Sequence, residues 1–280
     1  MKIKIISDST CDLSAQLIAD NDITLTALTV VKNDEQYKDG LSITPADIFA
    51  HVAAGGALCT TSANSIGEYA EVFEKYTADY DGIIMITLGS GFSTCYQSAC
   101  LAAEDYPNVR VIDSQNLSTG QGLVVLRACE LAKTATDLDA LAEELRDFTG
   151  KIEASFVVDK LDYLVKGGRC TSAAALGANL LNLKPCIEVK DGKMSVGKKY
   201  RGNYTKCLAN YVRERLEGRD DIDSGILFIT QTLVSEEAYA AVKHAVAEYG
   251  RFENVFETTA GCTVSCHCGP GTLGILFVRK

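Results

Sequence analysis

Three short runs constrain the fold most: residues 2–9 (KIKIISDS), 82–88 (GIIMITL) and 108–114 (NVRVIDS). Each is too short for a buried helix and nearly continuous in apolar residues, as a strand covered on both faces must be. Amphipathic segments separate them. Residues 12–22 read as a helix with Asp12 near its cap, and residues 66–80 and 94–106 read as two more. Residues 44–56 (TPADIFAHVAAGG) carry a full start signal: Thr44 as N-cap, Pro45 in the first turn and Asp47 where the helix dipole favours an anion. Residues 23–31 read as a single strand, and two helical runs follow Ser114 through about Gly150. Strands alternating with helices predict a Rossmann-like, doubly wound parallel sheet over residues 1–151.

The remaining chain has another texture. Residues 153–161 predict a strand and 173–183 (AAALGANLLNL) a helix. Residues 185–201 predict a hairpin turning at Asp191-Gly192, which makes the second sheet mixed. Helices are expected over 203–218 and 235–250, a strand over 225–233, and β structure over 263–280. The expected fold class is therefore α/β, with a Rossmann-like parallel-sheet domain (1–151) and a smaller mixed-sheet α/β domain (152–280), closely packed because no Pro/Ser-rich linker divides them.

Twenty-seven Lys and Arg against thirty-seven Asp and Glu leave a net charge of −10, which argues against a nucleic-acid partner. No apolar run is long enough to span a membrane, and the first residues read as a strand rather than a leader, so a cytoplasmic location is expected. Eleven cysteines then read as reduced thiols. Among them, CTVSCHC (Cys262, Cys266, His267, Cys268) lacks the paired spacing of a zinc site. Read as extended, it would place Cys266 and Cys268 on one face and His267 on the other. No metal is expected.

Nucleotide and hydrolase signatures are missing as well: there is no GxxxxGK[ST], no GxGxxG opening the first helix and no GxSxG elbow. Hydroxyls instead gather at strand and helix ends: Ser7 and Ser9 beside Asp8, then Thr60, Thr61, Ser62 and Ser65, then Ser93 within GSGFSTCYQSA, and Ser114 beside Asp113. Carboxyl ends of parallel strands are where open α/β sheets bind ligands, and helix N-termini favour anions. Thr94 with Gln97 has capping-box spacing, which puts Tyr96, Ala99, Cys100 and Ala103 on the buried face and leaves Ser93 just outside the helix. Ser65 and Ser118 read as caps. Of three histidines, His244 falls on a solvent face and His51 on a surface helix; His267 precedes a glycine-rich turn and reads either as a ligand group or as a core residue. A Ser–His–Asp set using Ser93 and His267 remains open on paper.

Seven segments in order, ISDSTCDL, TTSANS, ITLGSGFSTCYQSA, VIDSQNLSTGQGLVV, LDYLVKGGR, GANLLNLKPCIEV and HCGPGTLGILF, resemble the DegV family across essentially the whole chain. Ala63, Asn64 and Thr94 depart from the residues usual there. The resemblance implies a two-domain protein that binds one long-chain fatty acid. Thr61, Ser62, Ser93 and His267 would meet the carboxylate, and the protein itself would do no chemistry and need no cofactor. It further implies a fatty acid kinase partner that makes the acyl phosphate, with Arg169 and Arg201 facing that kinase or its nucleotide phosphate. The alternative is a small-ketone-binding subunit similar to that of dihydroxyacetone kinases.

Overall fold

The computed structural model describes residues 1–174 and 183–280; most of the helix expected over 173–183 lies outside them. The first half contributes strands β1 (Ile3–Asp8), β2 (Thr24–Thr26), β3 (Thr29–Lys32), β4 (Glu35–Lys38), β5 (Thr60–Ser62), β6 (Gly82–Thr87) and β7 (Val109–Asp113). The second contributes β8 (Ile152–Val157), β9 (Leu183–Lys190), β10 (Lys193–Arg201), β11 (Ile222–Thr232), β12 (Asn254–Thr259) and β13 (Thr272–Arg279).

The apolar runs form the parallel sheet β2-β1-β6-β7. Every residue of β6 is buried, so both of its faces are covered, as its composition requires. Helices Ile66–Thr77 and Cys95–Ala103 pack as one pair, and Thr119–Ala132 and Leu138–Thr149 as another. The Thr44 capping box forms as expected: Thr44 Oγ1 accepts from the Asp47 amide at 3.3 Å, and Asp47 returns a carboxylate to the Thr44 amide at 2.9 Å. Ser65 makes the same exchange with Glu68.

The second sheet has order β10-β9-β8-β13-β11-β12 and is mixed, with only β11 and β12 parallel. The β9–β10 hairpin turns at Asp191 (φ 49°) and Gly192 (φ 69°), the pair of left-handed residues that a two-residue hairpin needs. Alternate residues divide the sheet's faces. Leu227, Ile229, Leu273 and Ile275 pack under helices Tyr204–Leu216 and Glu236–Tyr249. Phe228, Leu276, Ala154 and Phe156 face the other way, into a core shared with Val124 and Ile86 of the first half.

Several local expectations fail. The run over 23–31 breaks at Ala27-Leu28 into β2 and β3, and β3 leaves the parallel sheet to centre a small antiparallel one, β4-β3-β5. Asp12 does not cap the first α-helix; Ser14 does, and Asp12 adopts a left-handed conformation (φ 50°) two residues earlier. Thr94 makes no side-chain cap bond; of the stripe expected on its helix, Ala99 is buried and Tyr96, Cys100 and Ala103 are half-buried against the core, which Cys95 and Ala102 enter more fully. Ser118 sits at a helix start without capping it. The largest correction concerns CTVSCHC, which is not extended: Cys262–Cys268 is a helix, and only β13 after it is a strand. In helical form Cys262 and Cys266 pack with Val30, Ile48 and Phe49 of the first half, as small apolar groups.

Candidate functional site

The Cys262–Cys268 helix belongs by sequence to the second half, but its N-terminus is held by the first. Asp39 accepts from the Cys262 amide at 2.8 Å and the Thr263 amide at 3.0 Å; Asp12 accepts from the Gly261 amide at 2.9 Å. These orphan N–H groups at a helix start favour carboxylates. Asp12 is fully buried and also receives Ser118 Oγ at 2.5 Å. Burial pushes its carboxyl up to about 8 against those bonds, and nearby Asp39 adds to the rise.

The helix thereby presents His267 to β5. His267 Nε2 lies 2.8 Å from Thr61 Oγ1, while Nδ1 is buried with no partner among the described residues. Gly167 allows this approach, since a Cβ there would come within 2.6 Å of Nδ1. Burial, reinforced by the positive Arg169, lowers the imidazole to about 4. His267 is therefore neutral at pH 7. With its proton on Nε2 it donates to Thr61 Oγ1, and the threonine hydroxyl is then free to donate onward.

Ser93 arrives from the loop between β6 and helix Cys95–Ala103. Its Oγ accepts from the Cys95 amide at 3.3 Å and lies 3.1 Å from Cys95 Sγ. Burial drives that thiol up to about 12, so it stays protonated and can donate to Ser93. Gly91 sits where the loop meets the hairpin turn: a Cβ on it would lie 2.1 Å from the Gly192 carbonyl oxygen. The two turns, one from each half, are thus in backbone contact.

Thr61, Ser62, Ser93, Arg169 and His267 line one cavity, of about 530 Å³ including its open mouth. Its other walls are largely apolar, Leu28, Leu88, Phe92 and Met194 among them. Arg169 is exposed, and donates to the carbonyl of Gly167 at 2.7 Å and of Phe92 at 3.4 Å. Arg201 lies elsewhere, exposed on the edge strand β10 and outside this cavity's lining. A second chamber of about 390 Å³ shares Leu117, Val264 and Cys268 with the first and continues along the inner face of the mixed sheet, against Ala154, Phe156, Val189 and Leu276.

The hydroxyls of Ser7, Ser9 and Ser114 do not line these chambers. Ser7 receives Gln121 Nε2, and Ser9 bonds Asp39 and the Leu28 amide. Ser114 is tied to Asn116. Asp8 takes bonds from Tyr69, Thr26 and the Leu88 amide, and burial raises its carboxyl to about 6. Those groups hold strand ends together. Sequence reasoning also missed Thr263, which lines the first chamber one helical turn before His267; only a helical reading of CTVSCHC would have put the two on one face. No group of three or more His, Cys, Asp or Glu side chains among the described residues is placed to hold a metal, and no helix among them is long and apolar enough to cross a membrane.

A parallel sheet, a mixed sheet and a small antiparallel one around two adjoining, largely apolar chambers, with hydroxyls and a neutral imidazole lining one of them, define an α/β protein with an internal site. The chain belongs to the DegV family, whose model, described as "Uncharacterised protein, DegV family", matches residues 2–280. It is 32% identical to a DegV domain-containing protein of Clostridium perfringens, over 100% of this chain and 99% of that one. Its fold is similar to that of a DegV family protein of Thermus thermophilus whose structure is described as showing fatty acid binding (TM-score 0.90, 31% identity, 100% of both chains). It is also similar to a stearic acid-binding protein of Eubacterium ventriosum (TM-score 0.85, 27% identity, 99% of this chain and 98% of that one).

Proposed function

We propose that this protein binds one long-chain fatty acid, with the carboxylate at Ser93, Thr61, Ser62 and His267 and the tail running past Leu117 and Val264 into the second chamber. The observation that carries the reading is a chamber lined by hydroxyls and an imidazole beside a second, largely apolar one, with Leu117, Val264 and Cys268 lining both. Relatives described as fatty acid-binding support it. Each buried CH₂ contributes about 0.8 kcal/mol, so the tail sets affinity; hydrogen bonds to a charged head add about 1.5–3 kcal/mol each and set orientation. A small polar ketone would leave the second chamber unfilled, which disfavours the alternative.

We further propose that the protein holds the acid without transforming it, and that a cytoplasmic fatty acid kinase phosphorylates the carboxylate. Two units, 1–151 and 152–280, would close on the ligand. Arg169, beside the head group, is suited to a phosphate or to the kinase; Arg201, on an exposed edge, is suited only to a partner surface.

Solvent extraction and mass spectrometry of purified protein should find about one long-chain acid per chain. Ser93→Ala should keep its lipid, because the tail dominates binding, and lose about 1–3 kcal/mol in head-group affinity, with a matching fall in kinase-coupled turnover. Wild-type turnover in both Ser93→Ala and His267→Ala would overturn the head-group assignment. A protein that neither carries nor binds fatty acid would overturn the whole reading.

The low proton affinity of His267 gives a separate expectation. In ligand-free protein its ring should stay neutral from pH 8 down to about 5, with titration only near 4. NMR of the ring nitrogens checks this, and should find the proton on Nε2. Titration near the ordinary histidine value, about 6.5, would remove the relay through Thr61.

A further inference from the structure

Each hydroxyl around the two chambers can be followed to a partner, save one. Thr61 pairs with His267, Ser62 with the Ala63 carbonyl and Ser93 with Cys95. In the second chamber Ser118 donates to Asp12, Thr230 pairs with Thr119 and Thr258, Thr232 donates to the Gly269 carbonyl and Thr272 to that of Cys268. Thr263 Oγ1 is buried with no hydrogen-bond partner among the described residues, on a residue only 4% exposed. A buried hydroxyl left unpaired costs about 1–3 kcal/mol, so its retention in a cavity wall calls for a ligand atom.

The helix fixes where that atom would lie. Thr263 and His267 are four residues apart and share a face, separated by about 6 Å along the axis. Thr263 lines the first chamber and not the second. Its amide is pinned by Asp39 at 3.0 Å, which fixes the backbone that carries the hydroxyl. A carboxylate with both oxygens engaged by Thr61, His267 and Ser93 would put the first carbons of its chain beside Thr263. An unsubstituted alkyl chain offers this hydroxyl nothing.

We propose that Thr263 Oγ1 is a subsite for an oxygen carried on the acyl chain itself, so that the preferred ligands include hydroxy- or oxo-substituted long-chain acids. The inference rests on the fatty acid reading above and adds a substrate class to it. The threonine donates to a keto oxygen, or exchanges a hydrogen bond with a chain hydroxyl, in a chamber whose apolar lining includes Leu28, Leu88 and Leu117.

The test measures binding of stearic acid and of a series of monohydroxystearic acids, differing in hydroxyl position, to delipidated wild-type protein. One or more positional isomers should bind roughly three- to ten-fold tighter than stearic acid, the worth of one hydrogen bond. Thr263→Val, equal in shape, should abolish that ratio, and Thr263→Ser should restore it. If the valine variant does not fold, Thr263→Ala takes its place. A wild type with no preferred isomer, or a ratio unchanged in the valine variant, overturns the proposal while leaving fatty acid binding intact. Failure of wild type to bind any of the acids defeats the fatty acid reading, and this one with it.

Discussion

Asp39→Ala should lower stability by roughly 2–5 kcal/mol, the cost of two orphaned buried amides, and weaken fatty acid binding at the same time. Asp39 accepts from Cys262 and Thr263 at the start of the helix that carries His267, and also from Ser9 Oγ at 3.2 Å. Alanine leaves all three donors unanswered at a position where the residue is only 4% exposed. The Cys262–Cys268 helix is then held to the first half by the Gly261–Asp12 bond, the Cys262 Sγ–Ile43 carbonyl bond and side-chain packing, and the 2.8 Å contact of His267 with Thr61 loses two of the bonds that fix its register. Asp39→Asn keeps one acceptor and turns an amide toward the other N–H, so about half the loss is expected. Denaturant unfolding with lipid titration decides the matter. A loss below about 1 kcal/mol would mean that Val30, Ile48 and Phe49 suffice to seat the helix.

The second large effect is a pH dependence that a single amide should erase. Asp12 is held protonated up to about 8, against an ordinary value of 3.8. The folded state therefore binds a proton that the unfolded chain has already released. Stability from this group is complete below pH 3.8, and falls as pH rises until the folded carboxyl also ionises near 8. Asp8 behaves alike but completes its loss near 6. Between pH 6 and 8 Asp12 is the main contributor, at on the order of 2 kcal/mol. His267 has the opposite sign: its folded value of about 4 lies below the ordinary 6.5, so its contribution is lost as pH falls through that window. Asp12→Asn mimics the protonated acid. Its oxygen can accept from Gly261 and its amide can donate to Ser118, so the fold is kept. Thermal melting across pH 6–8 should decline in wild type and be flat in the variant. A decline of equal slope in both would place the titrating group elsewhere.

Much of the architecture was legible because it rests on burial pattern. Strands β1, β6 and β7 are short and rich in apolar residues, and no helix period fits them. Thr44 and Ser65 announce their helices through capping boxes, and Asp191-Gly192 announces its hairpin. Failures came where tertiary contacts override local preference. CTVSCHC, rich in residues of modest helix propensity, becomes helical because Asp12 and Asp39, more than two hundred residues away, supply its missing acceptors. Nothing within the segment encodes them. Thr94 has capping-box spacing, but its backbone turns at φ −85° and ψ 5°, which points its hydroxyl off the helix start, and Ser93 serves the first amide instead. Of the residues singled out for the site, Thr61, Ser62, Ser93, Arg169 and His267 line one cavity and Arg201 does not. That grouping came from a resemblance over seven segments. Composition and periodicity alone reached only the loops, and could not separate Ser93 from Ser7, Ser9 or Ser114, whose hydroxyls are spent within the framework.

The bond from Gly261 to Asp12 spans 249 positions of the chain. During synthesis, β1 and the Asp12 turn leave the ribosome long before their partner exists. Strand β13, which lies between β8 and β11, must also be in place before the second chamber has a wall. A nascent chain stopped short of residue 261 therefore lacks His267 and the helix-start amides that Asp12 and Asp39 accept from. Closing so long a loop is slow, and the two carboxyls wait meanwhile in water, ionised. If the protein binds a fatty acid as proposed, loading would be an event of the finished chain, and a truncated one should be passed over by the acid.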